Sequence, residues 1–191
     1  MEFKKIQLNG FKSFAEKTNF LIEDGLTGIV GPNGCGKSNI VESLRWVMGE
    51  TSAKSMRGSG MEDVIFSGTS NKASKNIAEV SIDVENKNNE GPVQYRDQDH
   101  INVRRKIEKD KGSKFYINDK EVRARDAQMF FADLSTGAHS PSMISQGRIG
   151  SLVTAKPTDR RAILEEAAGI SGLHVRRHEA ELRLSAAENN L

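Results

Sequence analysis

Cysteine is nearly absent from this sequence. The one thiol among its 191 residues, Cys35, has no partner for an internal disulfide, which argues against a stapled secreted scaffold. No basic leader with an apolar run and a small-residue cleavage site opens the chain, so the expected location is cytoplasmic. No stretch approaches the ~18–20 consecutive apolar residues that span a bilayer, so no membrane partner is expected. Neither sign of charge dominates: 28 basic and 26 acidic residues leave a net +2. Bulk electrostatics therefore does not announce a nucleic-acid binder, and any such contact has to come from local patches. Aromatics make up only 6%, against 36% hydrophobic and 28% charged residues. That is a lean globular composition with much solvated helix surface, and the length suits one domain, with or without a protruding element.

What is present reads as an α/β pattern. Strands are predicted at Glu2–Asn9, Thr18–Glu23, Leu26–Val30, Ile77–Glu85, Ile101–Lys109 and Lys114–Asn118. The second and third are separated by Asp24-Gly25, a hairpin signal, and the last closes near Asn118-Asp119. Ile40, Val41, Leu44, Val47 and Met48 recur at helical spacing, which predicts a helix over Lys37–Met48 with Gly49 as its stop. Thr51–Lys75 reads as a loop broken by Val64-Ile65-Phe66, Arg125–Leu134 as a short helix, and Pro157–Ala168 as a helix capped by Gly169. Beyond it Leu173, Ala180, Leu184, Ala187 and Leu191 follow at intervals of 7, 4, 3 and 4. That spacing fits either the start of a coiled coil or an amphipathic helix lying on the domain. The sequence ends without a cap, as though inside that helix.

Gly31-Pro32-Asn33-Gly34-Cys35-Gly36-Lys37-Ser38 satisfies G-x-x-x-x-G-K-[ST] between an apolar segment and an amphipathic helix, the context that a phosphate loop requires. Gly34 and Gly36 let successive N–H groups turn inward toward phosphate oxygens, and the following helix adds the positive end of its dipole. Lys37 supplies a charge for the β- and γ-phosphates, and the Ser38 hydroxyl is placed to ligate Mg²⁺. Cys35 occupies a position where only backbone is needed, so it reads as a reactive spacer and not as a nucleophile. The cofactors expected are ATP and Mg²⁺.

The other half of a hydrolytic site is missing. Holding Mg²⁺ and positioning water take carboxylates, typically an Asp-Glu pair after four apolar residues, and no such run exists. Val80-Ser81-Ile82-Asp83-Val84-Glu85 alternates, which puts both acids on a polar strand face. Leu134-Ser135-Thr136-Gly137 echoes a signature that binds phosphate across an ATPase dimer, but His139-Ser140-Pro141 follows where a helix should start.

Three blocks surrounding the loop resemble one family. Phe11-Lys12-Ser13-Phe14 precedes it, and Ser55-Met56-Arg57-Gly58 with Met61-Glu62-Asp63-Val64-Ile65-Phe66 follows. Further on come Ile144-Ser145-Gln146-Gly147-Arg148 and Arg160-Arg161-Ala162-Ile163-Leu164-Glu165-Glu166-Ala167-Ala168-Gly169-Ile170. In this order they resemble the N-terminal head segment of the structural maintenance of chromosomes (SMC) proteins, in bacterial style. The resemblance implies a P-loop NTPase, the N-lobe of a split ABC-type ATPase head with a mixed sheet plus helices over residues 1–170, and the start of an antiparallel coiled-coil arm over 171–191. It implies that the signature and the Asp-Glu pair sit in a C-terminal lobe of the full-length chain, so the segment alone should be inactive while the complete head dimer hydrolyses ATP.

The resemblance also assigns residues. Lys37 and the loop from Gly31 through Asn39 bind phosphates, Gln146 approaches Mg²⁺ and the attacking water, Arg57 stabilises charge on the γ-phosphate, and Lys12 and Ser13 lie near the base or ribose. The implied partners are non-sequence-specific DNA, a second copy through heads and distal hinge, and a kleisin-type bridging subunit, with a nucleoid-associated role in chromosome condensation and segregation. A related ABC-class DNA repair ATPase and a non-enzymatic nucleotide-dependent interaction module are the alternatives. Between Arg104 and Lys114, six basic residues face two acids, a stripe equally compatible with tracking DNA phosphates and with a solvated hairpin.

Overall fold

The computed structural model describes residues 1–87, 91–134, 143, 150 and 153–168 and, near the C-terminus, 177, 180, 181, 184, 185, 187 and 188. Its centre is a six-stranded sheet in the order β2-β1-β3-β4-β5-β6. The strands are β1 (Glu2–Asn9), β2 (Thr18–Leu21), β3 (Ile77–Glu85), β4 (His100–Glu108), β5 (Gly112–Ile117) and β6 (Lys120–Val122), and each ladder between neighbours is antiparallel. Alternation decides the faces. Ile6, Leu8, Val80, Ile82, Val84, Ile101, Val103, Ile107, Phe115 and Ile117 point to one side and are buried. There they meet α1 (Lys37–Val47), through Ile40, Trp46 and Val47, and α2 (Ala124–Asp133), through Ala127, Phe130 and Phe131. Removing these side chains from water is the main force holding the helices to the sheet.

The ends of the elements follow local chemistry. Gly49 stops α1 at φ +104°, and a Cβ there would lie 2.3 Å from Gln128 Cγ. The Gln128 amide donates to the Gly49 carbonyl at 2.8 Å, tying α2 to the end of α1. Asn118 and Asp119, at φ +48° and +62°, close β5 onto β6 in the left-handed turn that Asn and Asp tolerate. A third helix, α3, runs over Pro157–Ala167 from the expected proline start, with an i,i+4 ion pair of 2.7 Å between Arg161 and Glu165. Gly169 lies outside the described residues.

One predicted strand is not formed. Leu26–Val30 pairs with no strand among the described residues. Leu26 and Val30 are 100% and 93% exposed, and the expected Asp24-Gly25 hairpin is a local turn in which Thr27 Oγ1 accepts from the Glu23 N–H at 3.1 Å. A strand needs another backbone beside it, and β1 already has β2 and β3 on its two edges. Of the heptad positions, Ala180, Leu184 and Ala187 are helical and exposed, and Arg177 pairs with Glu181 at 2.8 Å; Leu173 and Leu191 lie outside the described residues. Among the described residues, no helix is long and apolar enough to cross a membrane.

Candidate nucleotide-phosphate site

The loop between the unpaired apolar segment and α1 carries the geometry that its glycines predict. Gly34 and Gly36 stand at φ +83° and +92°, conformations that side-chain-bearing residues rarely adopt, and residues 31–35 are exposed. Gly36 is the residue before α1, and its carbonyl accepts from the Asn39 N–H at 2.9 Å. The first turn of α1 holds no acidic side chain, so nothing offsets the positive end of the helix beside the exposed Ser38. The Lys37 ammonium folds back over the loop, donating to the carbonyls of Gly31 at 2.5 Å and Pro32 at 2.6 Å, with Cys35 Sγ 3.7 Å away.

The Phe11–Phe14 turn braces this loop from the side. Asn39 Nδ2 donates to Ser13 Oγ at 2.8 Å, and a Cβ on Gly36 would sit 2.5 Å from that oxygen. The structure thus brings Ser13, Gly36 and Asn39 together. Lys12 is at the same turn but faces elsewhere. Its ammonium donates to a Glu42 carboxylate oxygen and to the Met56 carbonyl. The other Glu42 oxygen receives Arg57, whose backbone is left-handed at φ +54° after the short turn Lys54–Met56. Glu42 is 8% exposed.

Glu42 is the residue that the sequence reading missed. A glutamate in an amphipathic helix usually faces water, but Glu42 stands four residues before the fully buried Trp46, on the inward stripe of α1. That spacing was the available signal. The loop that carries Arg57 is closed at its far end by Asp63, which accepts from the N–H groups of Gly60 at 2.9 Å and Ser59 at 2.6 Å and from the Ser59 hydroxyl at 2.8 Å. Those bonds, the Gly60 N–H first, hold the Asp63 carboxyl below its usual range.

Gln146 lies outside the described residues. Asp83 and Glu85 are on the sheet face opposite α1, where Asp83 pairs with Lys5 at 2.6 Å and Glu85 with Lys87 at 3.1 Å, so they form no carboxylate pair for the loop. Among the described residues, no group of three or more His, Cys, Asp or Glu could hold a metal ion. The donor set nonetheless fits Mg²⁺, which keeps several waters and takes phosphate oxygens with few protein ligands, here the Ser38 hydroxyl. The glycine-turned amides fit a triphosphate for the same reason that they fit any anion at a helix start.

The basic stripe is much diminished in three dimensions. Arg105 is interior, and Arg104, Lys111 and Lys114 are paired with Glu79, Glu108 and Glu121 at 3.3, 2.6 and 3.0 Å. Lys106 and Lys114 stand in register on the outer sheet face.

Comparison with known proteins supplies the family. Residues 2–148 match the family described as RecF/RecN/SMC N terminal domain. The chain is 58% identical over all of its length to the chromosome partition protein Smc of Cereibacter sphaeroides and 56% identical to that of Rhodopseudomonas palustris, and it spans 17% of the length of each. A crystal structure of an Smc head with an extended coiled coil, bound to the C-terminal domain of ScpA from Pyrococcus furiosus, superposes with a TM-score of 0.81 at 31% identity. That match covers 98% of this chain and 47% of the other. A chain from a study of ATP-driven dimerization and DNA-stimulated activation of SMC ATPases superposes at 0.74 with 31% identity, over 87% of this chain and 99% of that one. The chain belongs to the RecF/RecN/SMC N-terminal domain family, and its fold is that of the N-terminal part of an SMC head.

Proposed function

We propose that this chain is the ATP-binding N-lobe of an SMC ATPase head, over residues 1–170, followed by the start of a coiled-coil arm, and that it becomes hydrolytic only when a C-terminal lobe of the full-length protein completes it. The observation that carries this reading is the apolar segment leading into the phosphate loop. Leu26 and Val30 stand bare at 100% and 93% exposure beside a loop built to hold phosphate. Apolar side chains with unpaired backbone invite a strand from elsewhere, and such a strand would arrive next to the phosphates, where the missing carboxylates are needed.

In this reading the amides from Asn33 to Ser38 and the Lys37 ammonium hold the triphosphate, and Ser38 and Gln146 serve Mg²⁺, with Gln146 also approaching the attacking water. Mg²⁺ supplies charge neutralisation at the phosphate oxygens when bound. Arg57 stabilises charge developing on the γ-phosphate, and Ser13, already bonded to Asn39, lines the nucleotide side of the loop, with Lys12 turned away to Glu42. ATP sandwiched between two heads drives their engagement, with a kleisin-type subunit bridging them, non-sequence-specific DNA as the substrate of the whole machine, and chromosome condensation and segregation on the nucleoid as its purpose.

The test is nucleotide binding and steady-state hydrolysis by the 191-residue chain beside Lys37→Ala, each with and without a separately supplied C-terminal lobe. Expected are ATP binding that needs Lys37, no turnover by the chain alone, and turnover once the lobe is added. Lys37-dependent hydrolysis by the chain alone would refute the split site, and failure to bind ATP would refute the reading of the loop.

A further inference from the structure

The carboxylate of Glu42 serves two cations at once. One oxygen accepts from Lys12 and the other from Arg57. The two cations differ in freedom. The Lys12 side chain is 13% exposed and is also tied to the Met56 carbonyl, while its own N–H donates to the Val64 carbonyl at 2.7 Å. The Arg57 side chain is 60% exposed and ends a short turn at a left-handed residue. Glu42 itself is 8% exposed, and a carboxylate so deeply placed needs a compensating charge at all times.

The position on α1 matters equally. Glu42 is four residues after Ser38, so the two share a helix face about 6 Å apart along the axis. Helical side chains lean toward the N-terminus, which carries the Glu42 carboxylate toward the phosphate loop. The Arg57 guanidinium is thereby drawn toward the loop end of α1, on an ion pair whose arginine half is 60% exposed, and a guanidinium matches a phosphate as well as it matches a carboxylate.

We propose that Glu42 is the positioning residue of Arg57. It holds the guanidinium beside the phosphate loop until a phosphate takes it over, and Lys12 is the fixed counter-ion that keeps Glu42 compensated after Arg57 has left. Lys12 thus makes Arg57 releasable, and Glu42 competes with the nucleotide for it. The inference rests on the reading of the loop as a triphosphate site.

The experiment uses the full-length protein and an arginine-selective dicarbonyl reagent, with Arg57 modification read by peptide mass spectrometry and Mg-ATP affinity measured alongside. Glu42→Gln should raise the modification rate of Arg57 without nucleotide and tighten Mg-ATP binding, each by at least about fivefold, the upper worth of a surface pair, because the carboxylate half of this one is buried. Lys12→Met should weaken Mg-ATP binding, because Arg57 is then the only partner that Glu42 has, and the same change in a Glu42→Gln background should have no further effect. Glu42→Asp, which keeps the charge, should stay near wild type. Mg-ATP should protect Arg57 in the wild type and in Glu42→Gln.

Unchanged Arg57 reactivity in Glu42→Gln, or Glu42→Gln and Lys12→Met both weakening ATP binding as mere structural damage would, overturns the proposal. If ATP binds and shields Cys35 but never changes the reactivity of Arg57, the exchange is refuted while the nucleotide site stands. If the wild type binds no ATP, the functional reading falls first.

Discussion

Arg105 offers the sharpest quantitative test of how α1 is held. Its guanidinium lies between the rings of Trp46 and Phe115, 4.5 and 4.6 Å from their centroids. Nη1 donates to the carbonyls of Trp46 at 2.8 Å and Glu50 at 2.7 Å, and Nε donates to Ser113 Oγ at 3.1 Å. Burial pushes the guanidinium down from its ordinary value to about 10, with Glu50 opposing the shift. That depression corresponds to roughly 3 kcal/mol against keeping the charge inside. Replacing Arg105 with Met removes that penalty and keeps most of the apolar packing, but it strands two buried carbonyls at ~1–3 kcal/mol each and forfeits ~1–2 kcal/mol of cation–ring attraction. The net expectation is a loss of about 2 kcal/mol. Arg105→Ala adds a cavity and should lose about 3–5 kcal/mol. Urea unfolding followed by the emission of Trp46, the only tryptophan, measures both directly. A Met variant more stable than wild type would refute the carbonyl-anchoring argument. The folded pKa lies below the unfolded one, so titration of Arg105 adds stability only as pH rises through about 10. Between about pH 6 and 8 both states keep the proton, and the difference between wild type and variant should be flat.

Gly36→Ala should reduce ATP affinity at least about tenfold and lower stability by ~1–2 kcal/mol, because φ is +92° and the new Cβ would meet Ser13 Oγ at 2.5 Å; unchanged affinity in calorimetry would mean that the loop tolerates another path. Leu26→Asp with Val30→Asp should leave the unfolding midpoint of this lobe within ~0.5 kcal/mol of wild type, since both side chains already face water, yet abolish association with a C-terminal lobe in size-exclusion chromatography. Retained association would show that the bare segment is not the docking strand. Any DNA affinity of this lobe should be sequence-tolerant and fall steeply with salt, and Lys106→Ala with Lys114→Ala should reduce the salt slope by about 2; a slope unaffected by the pair would clear the outer sheet face of a role.

The legible parts of this chain are those whose physics is local. The phosphate loop is contained in eight consecutive residues, and the parity of β3 showed which side of that strand would be inside. Arg105 was legible by the same rule, since it stands in step with Ile101, Val103 and Ile107, but its charge drew it into a surface stripe. Leu26–Val30 misled because β-branched apolar residues indicate strand propensity, while a strand also requires a neighbouring backbone that no local signal reports. β6, three residues long, is too short to show a period. The Glu42 junction joins residues 12, 42 and 57, and no spacing rule links positions so far apart.

These less legible contacts all converge on α1. Its first residues follow the phosphate loop, its middle holds Glu42 with Lys12 and Arg57, and its Trp46 carbonyl is held by Arg105 from β4. A helix anchored to the sheet at its C-terminal end has little freedom to absorb a disturbance there. On the proposed exchange, phosphate arriving at the N-terminal end would act on the ion pair between Glu42 and Arg57, whose arginine half is open to water. If that exchange operates, anchoring one end of α1 is what would let an event at the other be passed on to the loop that carries Arg57.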